Sequence, residues 1–133
     1  MKFYSRKGKI IIFSIIILTI LTIISIWGKV YPASFILIIV LSFFIWAWFD
    51  TYYVISNDQL FYKLAFIKGS VNINTIFEVV KNKASFSGVK PALSTKGIIV
   101  KYNRWDEIYI SPLYIDQFII ELKKVNPSIK ITE

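Results

Sequence analysis

Asp106 and Glu107 are the only adjacent acids in this chain of 133 residues, and paired carboxylates are the simplest machinery for general acid–base work. Their spacing argues against that use. Neighbours in a strand point to opposite faces, so the pair does not converge on one substrate and reads better as turn residues on a solvated rim. The chain has no histidine and no cysteine. That removes His-dependent proton transfer, the common zinc sites, thiol nucleophiles and disulfides. Neither an enzyme nor a cofactor is expected.

What remains is recognition chemistry. Lys81, Lys83, Lys90, Lys96, Lys101 and Arg104 could meet a phosphate, with Gly88 and Gly97 giving backbone access. No glycine-rich phosphate motif followed by a helix accompanies them, so the competing reading is a set of solvated lysines. Phe86, in the polar run Ser85-Phe86-Ser87-Gly88, and Trp105, in a tight turn, are candidate recognition points because aromatic side chains dominate interaction hot spots. Each has a plainer alternative, Phe86 folded back as a plug and Trp105 dipped among lipid headgroups. Phe86, Lys90, Arg104 and Trp105 are therefore the candidate binding residues, with no catalytic or metal-ligating residue among them.

Two apolar runs precede all of these. Ile10 to Gly28 and Val30 to Phe49 hold 19 and 20 residues without a charge, separated by Lys29. At about 1.5 Å per helical residue, each crosses a hydrocarbon core of about 30 Å. With only Gly28 to Pro32 to turn in, they predict a transmembrane helical hairpin, helices 10–28 and 32–49. A cleaved signal peptide fits worse: the apolar stretch is long, and Ile26, Trp27 and Lys29 stand where small residues belong. Ser14, Thr19, Thr22, Ser25 and Ser42 are small hydroxyls able to bond back to their own helix; Ser14, Thr19, Thr22 and Ser42 could also pack the two helices together, against the plainer reading of tolerated polar residues. The hairpin has no Asp, Glu, Lys, Arg or His between Lys9 and Asp50 except Lys29, so it lacks the usual mark of a transporter or proton relay.

Charge sets the expected orientation. Residues 1–29 carry five positive charges and no acid; residues 50–133 carry eleven positive and eight negative out of a net +8. Positive residues gather on the cytoplasmic side, so residues 1–9 read as a basic cytoplasmic N-terminus, residues 10–49 as the hairpin, and residues 50–133 as a cytoplasmic domain at the cell membrane. Trp27 and Tyr31 at one end, and Trp46, Trp48, Phe49, Tyr52 and Tyr53 at the other, suit the two interfaces. The lipid bilayer is the expected first partner. Nucleic acid is not, since no dense basic stripe or aromatic RNA-binding signature occurs.

Beyond Asp50 the period is two. Thr51 to Ser56 and Gln59 to Phe66 flank Asn57-Asp58 as a hairpin. Lys68-Gly69 predicts the next turn, followed by strands at Ser70 to Ile73 and around Thr75 to Ala84, although Ile76, Val79 and Val80 also fit a helical turn. Ser85 to Thr95 reads as a loop with strand character at Ala92 to Ser94. Ile98 to Tyr102 and Glu107 to Ser111 form the last hairpin. Ser111 and Pro112 then offer an N-cap and first helical residue, and Ile115, Phe118, Ile119, Leu122 and Val125 draw one apolar helix face, stopped by Asn126-Pro127. A sheet of about six or seven strands capped by a C-terminal helix follows.

The segments Thr51-Tyr52-Tyr53-Val54-Ile55, Phe66-Ile67-Lys68-Gly69, Pro91-Ala92-Leu93-Ser94, Asp106 to Pro112 and Asn126-Pro127-Ser128-Ile129, placed after a membrane hairpin, resemble the bacterial pleckstrin-homology-like (PH-like) family of small membrane proteins. The resemblance implies an α+β membrane protein: a transmembrane hairpin, then a small PH-like antiparallel β-barrel or roll capped by a helix. It also implies a non-enzymatic, membrane-anchored binding module, in some relatives a self-immunity protein against an antimicrobial peptide (bacteriocin) of the sublancin type. The alternative is a structural or regulatory subunit that binds another membrane protein in the cell envelope.

Overall fold

The computed structural model describes residues 1–83 and 92–133. The uncharged runs become α1 (Lys9–Trp27) and α2 (Tyr31–Phe49), each about 28 Å long. The turn is tighter than expected: Lys29 takes a left-handed φ of 57°, and α2 begins at Tyr31 with Pro32 in its first turn. Ser14, Thr19, Thr22 and Ser42 each donate to the carbonyl four residues back, at 2.7–2.9 Å. The bond between the helices is Ser25 to Ser34, 2.8 Å between hydroxyl oxygens. Elsewhere the hairpin exposes isoleucine and phenylalanine all round.

The remaining chain folds as two four-stranded sheets. The first contains β1 (Lys2–Tyr4), β2 (Thr51–Ser56), β3 (Gln59–Leu64) and β4 (Ile67–Asn72) in that order, all antiparallel. The second runs β7-β6-β5-β8, from β5 (Ile76–Lys81), β6 (Ile98–Tyr102), β7 (Asp106–Ile110) and β8 (Lys130–Thr132). They form an open roll, and the sheets do not close into a barrel. One corner is a 3-10 turn, Ile73–Thr75, joining β4 to β5. At the other, Ser5 bridges Pro112, with Arg6 N–H donating to the Ser111 carbonyl at 2.6 Å and Leu113 N–H to that of Tyr4 at 2.9 Å.

β1 draws the start of the basic N-terminal segment into the first sheet. Phe3 pairs with Tyr53, is 5% exposed, and meets Phe118 edge-on at 5.2 Å. The helical hairpin is thus inserted between two neighbouring strands, and its two ends emerge side by side. Tyr53 is likewise a core residue, fully buried, and not an interface anchor.

Three further expectations change. The turn after β3 is Ala65-Phe66, with Ala65 at φ 49°, and Lys68-Gly69 lie inside β4. Gly69 faces Tyr62, whose ring occupies the space a Cβ would need, so this glycine serves close approach. Ser111 does not cap the last helix, α3 (Ile115–Val125), which starts after Tyr114; its hydroxyl turns inward to Ser5 at 3.0 Å. Ala92 to Ser94 forms no strand, though the Leu93 carbonyl accepts from Gly8 N–H at 3.1 Å. β5 is a strand throughout.

The apolar face of α3 closes the roll as the spacing predicts: Phe118 and Leu122 are fully buried and Ile119 nearly so. Asn126 fastens the helix end, its amide donating to the carbonyls of Ile73 and Ile76, both at 3.0 Å, and its oxygen accepting from Ser128 N–H and hydroxyl. The chain then returns as β8, parallel to β5. The Thr132 hydroxyl donates to Glu78 at 2.7 Å and Lys101 reaches the other carboxylate oxygen at 3.0 Å.

Two outcomes test this architecture. Phe3→Ala removes a buried ring and should cost about 3–5 kcal/mol, so a soluble form in which a short Gly/Ser turn replaces residues 9–49 should melt well above the fragment 50–133. Equal melting would remove β1 from the core. Thr132, and after it Lys101, holds the Glu78 carboxyl below the usual glutamate range. A carboxyl lowered by folding stabilises above its unfolded value and loses that contribution as pH falls through the folded one. Stability should therefore drop from about pH 4.3 downward, and Glu78→Gln should flatten that part of a denaturation series.

Candidate functional site

The neighbourhood that joins both sheets to the hairpin begins at Tyr53. From the centre of β2 its hydroxyl accepts from Ser111 N–H at 3.1 Å and donates to the Ser5 hydroxyl at 3.4 Å. Ser5 in turn accepts from Leu93 N–H at 3.4 Å. One buried phenol thereby holds the end of β7, the segment leading into α1, and the 92–94 loop together. Burial pushes the Tyr53 phenol up in pKa, keeping it neutral and able to donate.

Gly8 allows the next contact. A Cβ there would lie 2.7 Å from the Leu93 carbonyl oxygen, so a side chain would force the loop away from α1. Between that loop and the helix lies an open groove of about 720 Å³. Its cations are Arg6, Lys7, Lys9 and Lys96, and its apolar lining includes Ile10, Ile11, Phe44, Leu93 and Tyr109. Lys7 is committed to the Trp48 ring, 4.5 Å from its centroid, and Arg6 leans on the Leu113 carbonyl at 3.4 Å. Lys9 and Lys96 are exposed and in no ion pair among the described residues. Tyr109 is 5% exposed, and its hydroxyl is buried with no well-formed hydrogen bond among the described residues.

The other flank of the hairpin is aromatic. Phe66, at the tip of the β3–β4 turn and 65% exposed, lies against Phe43 and Trp46 of α2 at 5.7 and 6.5 Å. The helix–strand junction is stiff: the Thr51 hydroxyl donates to the Ala47 carbonyl at 2.6 Å, and Asp50 accepts from the Trp46 indole and pairs with Lys63 at 2.7 Å. Lys63, followed by Trp46, holds the Asp50 carboxyl below its usual range.

The residues singled out in the sequence fall elsewhere. Arg104 and Trp105 sit together in the β6–β7 turn, with Trp105 88% exposed. The β6–β7 register puts that turn at the end of β7 opposite Ser111, about 20 Å along the strand, and neither residue lines the groove. Phe86 and Lys90 lie outside the described residues. Asp106 and Glu107 sit in β7. The groove itself escaped sequence reading because its cations come from both sides of a 90-residue separation. Lys96 was singled out; Lys9, Gly8 and Tyr109 were not candidate site residues.

Two four-stranded sheets with one helix packed across their core define a PH-like roll. The chain belongs to the bacterial PH domain family, whose profile matches residues 51–126, from β2 to the end of α3. It is similar to the uncharacterized protein YyaB of Bacillus subtilis (strain 168), 33% identical over 99 residues covering 73% of this chain and 68% of that protein. That span exceeds the stretch from Asp50 to Glu133, so the similarity reaches into α2. No solved structure matches significantly.

Tyr53→Phe keeps the ring, leaves the buried Ser111 amide without its acceptor and removes one of the Ser5 hydroxyl's partners. It should cost about 1–3 kcal/mol and speed hydrogen exchange at Ser111 and Leu93. Exchange unchanged at those amides would show that the phenol does not hold the joint.

Proposed function

We propose that this protein is a non-enzymatic binding module held at the cytoplasmic face of the cell membrane by its helical hairpin. The observation that carries the reading is the insertion of two apolar 19-residue helices, charged only at Lys9 where the first begins, between paired strands β1 and β2, with no linker at Asp50-Thr51. Soluble proteins rarely expose so much contiguous apolar surface, and a bilayer supplies its solvent. The Lys/Arg excess in residues 1–9 and beyond Asp50 supports cytoplasmic termini, with Gly28 to Pro32 outside. Phe66 beside Phe43 and Trp46 supports a domain seated on the lipid surface instead of one swinging free.

For its target we carry over the role that the PH-like resemblance implies, protection of the cell against an antimicrobial peptide that acts at the membrane. Tethering holds the module at high effective concentration beside such a target.

Orientation is tested by single cysteines, since the chain has none of its own. Tyr31→Cys should react with an impermeant thiol reagent in intact cells and Lys123→Cys should not; the reverse pattern overturns the orientation. For function, cells making the full chain should survive a peptide encoded near its gene, and a long Gly/Ser linker inserted after Phe49 should weaken survival. Full protection by an equally abundant form without residues 9–49 would overturn the tethered mechanism. Failure of the full chain would favour a subunit of an envelope complex.

A further inference from the structure

We propose that the β3–β4 turn, Ala65-Phe66-Ile67, is a wedge lodged among the acyl chains of the cytoplasmic leaflet, so that the domain and not the hairpin alone contacts lipid. The inference rests on the membrane-anchored reading. Depth is the first argument. The Ser25–Ser34 bond sets the register of the antiparallel helices; counted from it with equal rise on both, Phe43 lies level with Ile16 and Trp46 with Phe13. Those levels are about 6 to 10 Å past Lys9 on α1 and past Asp50 on α2, the charged residues at this end of the hairpin. The Phe66 ring packs on Phe43 and Trp46 at 5.7 and 6.5 Å. A residue of the domain thus reaches the second turn of helices whose surroundings are hydrocarbon.

The turn is built to present that ring. Ala65 is buried in a left-handed conformation, φ 49°, which makes the connection between β3 and β4 tight and leaves Phe66 at its tip. Despite its two ring contacts Phe66 remains 65% exposed, and Ile67 beside it is 41% exposed. The rings on which Phe66 rests are themselves exposed on the outside of α2, so its apolar surface continues the lipid-facing side of the hairpin. That continuity selects lipid as the occupant. Water would instead meet three aromatic rings and an isoleucine gathered at one place, an arrangement soluble surfaces avoid. Asp50, the acid at the helix–strand junction, is neutralised by Lys63 at 2.7 Å and does not oppose entry of the turn into the leaflet. Held at this turn as well as at the hairpin ends, the domain cannot rock away from the bilayer.

The test uses the full chain in vesicles of phosphatidylcholine and phosphatidylglycerol, with a nitroxide on single cysteines, since the chain has none of its own. Depth is read from the accessibility of each label to oxygen against a water-soluble nickel chelate. Labels on Phe66→Cys and Ile67→Cys should favour oxygen severalfold more than one on Trp105→Cys, at the far end of the domain, and less than one on Ile17→Cys, in the middle of α1. Adding Phe66→Asp should move the Ile67→Cys label to the Trp105→Cys value and leave the Ile17→Cys value unchanged. A second arm leaves the chain unsubstituted: irradiated in vesicles whose acyl chains carry a diazirine near the glycerol, it should form lipid adducts on the peptide containing Phe66 and none on that containing Trp105. Where the two arms disagree the adducts decide, because that chain carries no substitution. Nickel-accessible labels at the turn without adducts overturn the wedge. So do labels shielded from both reagents without adducts, which would mark a second copy or another protein over the turn. A nickel-accessible label at Ile17→Cys would show that the hairpin does not cross the bilayer and overturn the anchored reading itself, an outcome distinct from an aqueous turn beside a lipid-embedded α1.

Discussion

The pairing of β1 with β2 is the constraint on which the rest depends. Two strands distant in sequence, Lys2–Tyr4 and Thr51–Ser56, lie side by side because the 46 residues between them fold back on themselves. An antiparallel helical hairpin returns the chain to within a strand spacing of where it left, about 4.8 Å. Pairing the strands thus ties the hairpin ends, and packing the hairpin pre-positions the strands. A single-span or long-looped segment would leave Phe3 without its place against Phe118, and the first sheet would end on β2 with a bare edge.

Buried polar side chains transmit this constraint to the second sheet. Two open sheets sharing a core are free to slide unless their corners are fixed. Tyr53, Ser5 and Ser111 fix the corner next to the hairpin, and Asn126 fixes the one at the 3-10 turn. Both sets are nearly inaccessible to water. Their hydrogen bonds are consequently expensive to leave unmade, which specifies one register more sharply than apolar contact does.

The groove is a by-product of that geometry. Because the loop at Leu93 is pinned to Gly8, and α1 leaves the domain at that point, a concave surface forms where basic side chains meet the first apolar turn. Charge and grease meet there for the same reason that they meet at any membrane surface. The β6–β7 turn bearing Arg104 and Trp105 projects from the far end of the sheet and takes no part.

The sequence by itself determined what rests on local period and composition. Two uncharged runs specified the helical hairpin, alternation specified β2, β3, β6 and β7, and the 3-4 spacing from Ile115 to Val125 specified the capping helix and its buried face. The lack of histidine and cysteine limited the chemistry. Tertiary structure decided everything that depends on residues meeting across long separations. Three-residue strands such as β1 and β8 carry too little pattern to read, and they exist only because a partner edge supplies their hydrogen bonds. Ser111 looked like a helix cap because its neighbour is proline, yet a buried hydroxyl partner at Ser5 holds it more strongly than an exposed helix end. Gly69 looked like a turn, but the Tyr62 ring across the sheet required the missing side chain. The groove belongs to the same class: Lys9 and Lys96, unremarkable as single lysines, become a pair only when the fold has brought residues 8 and 93 into contact.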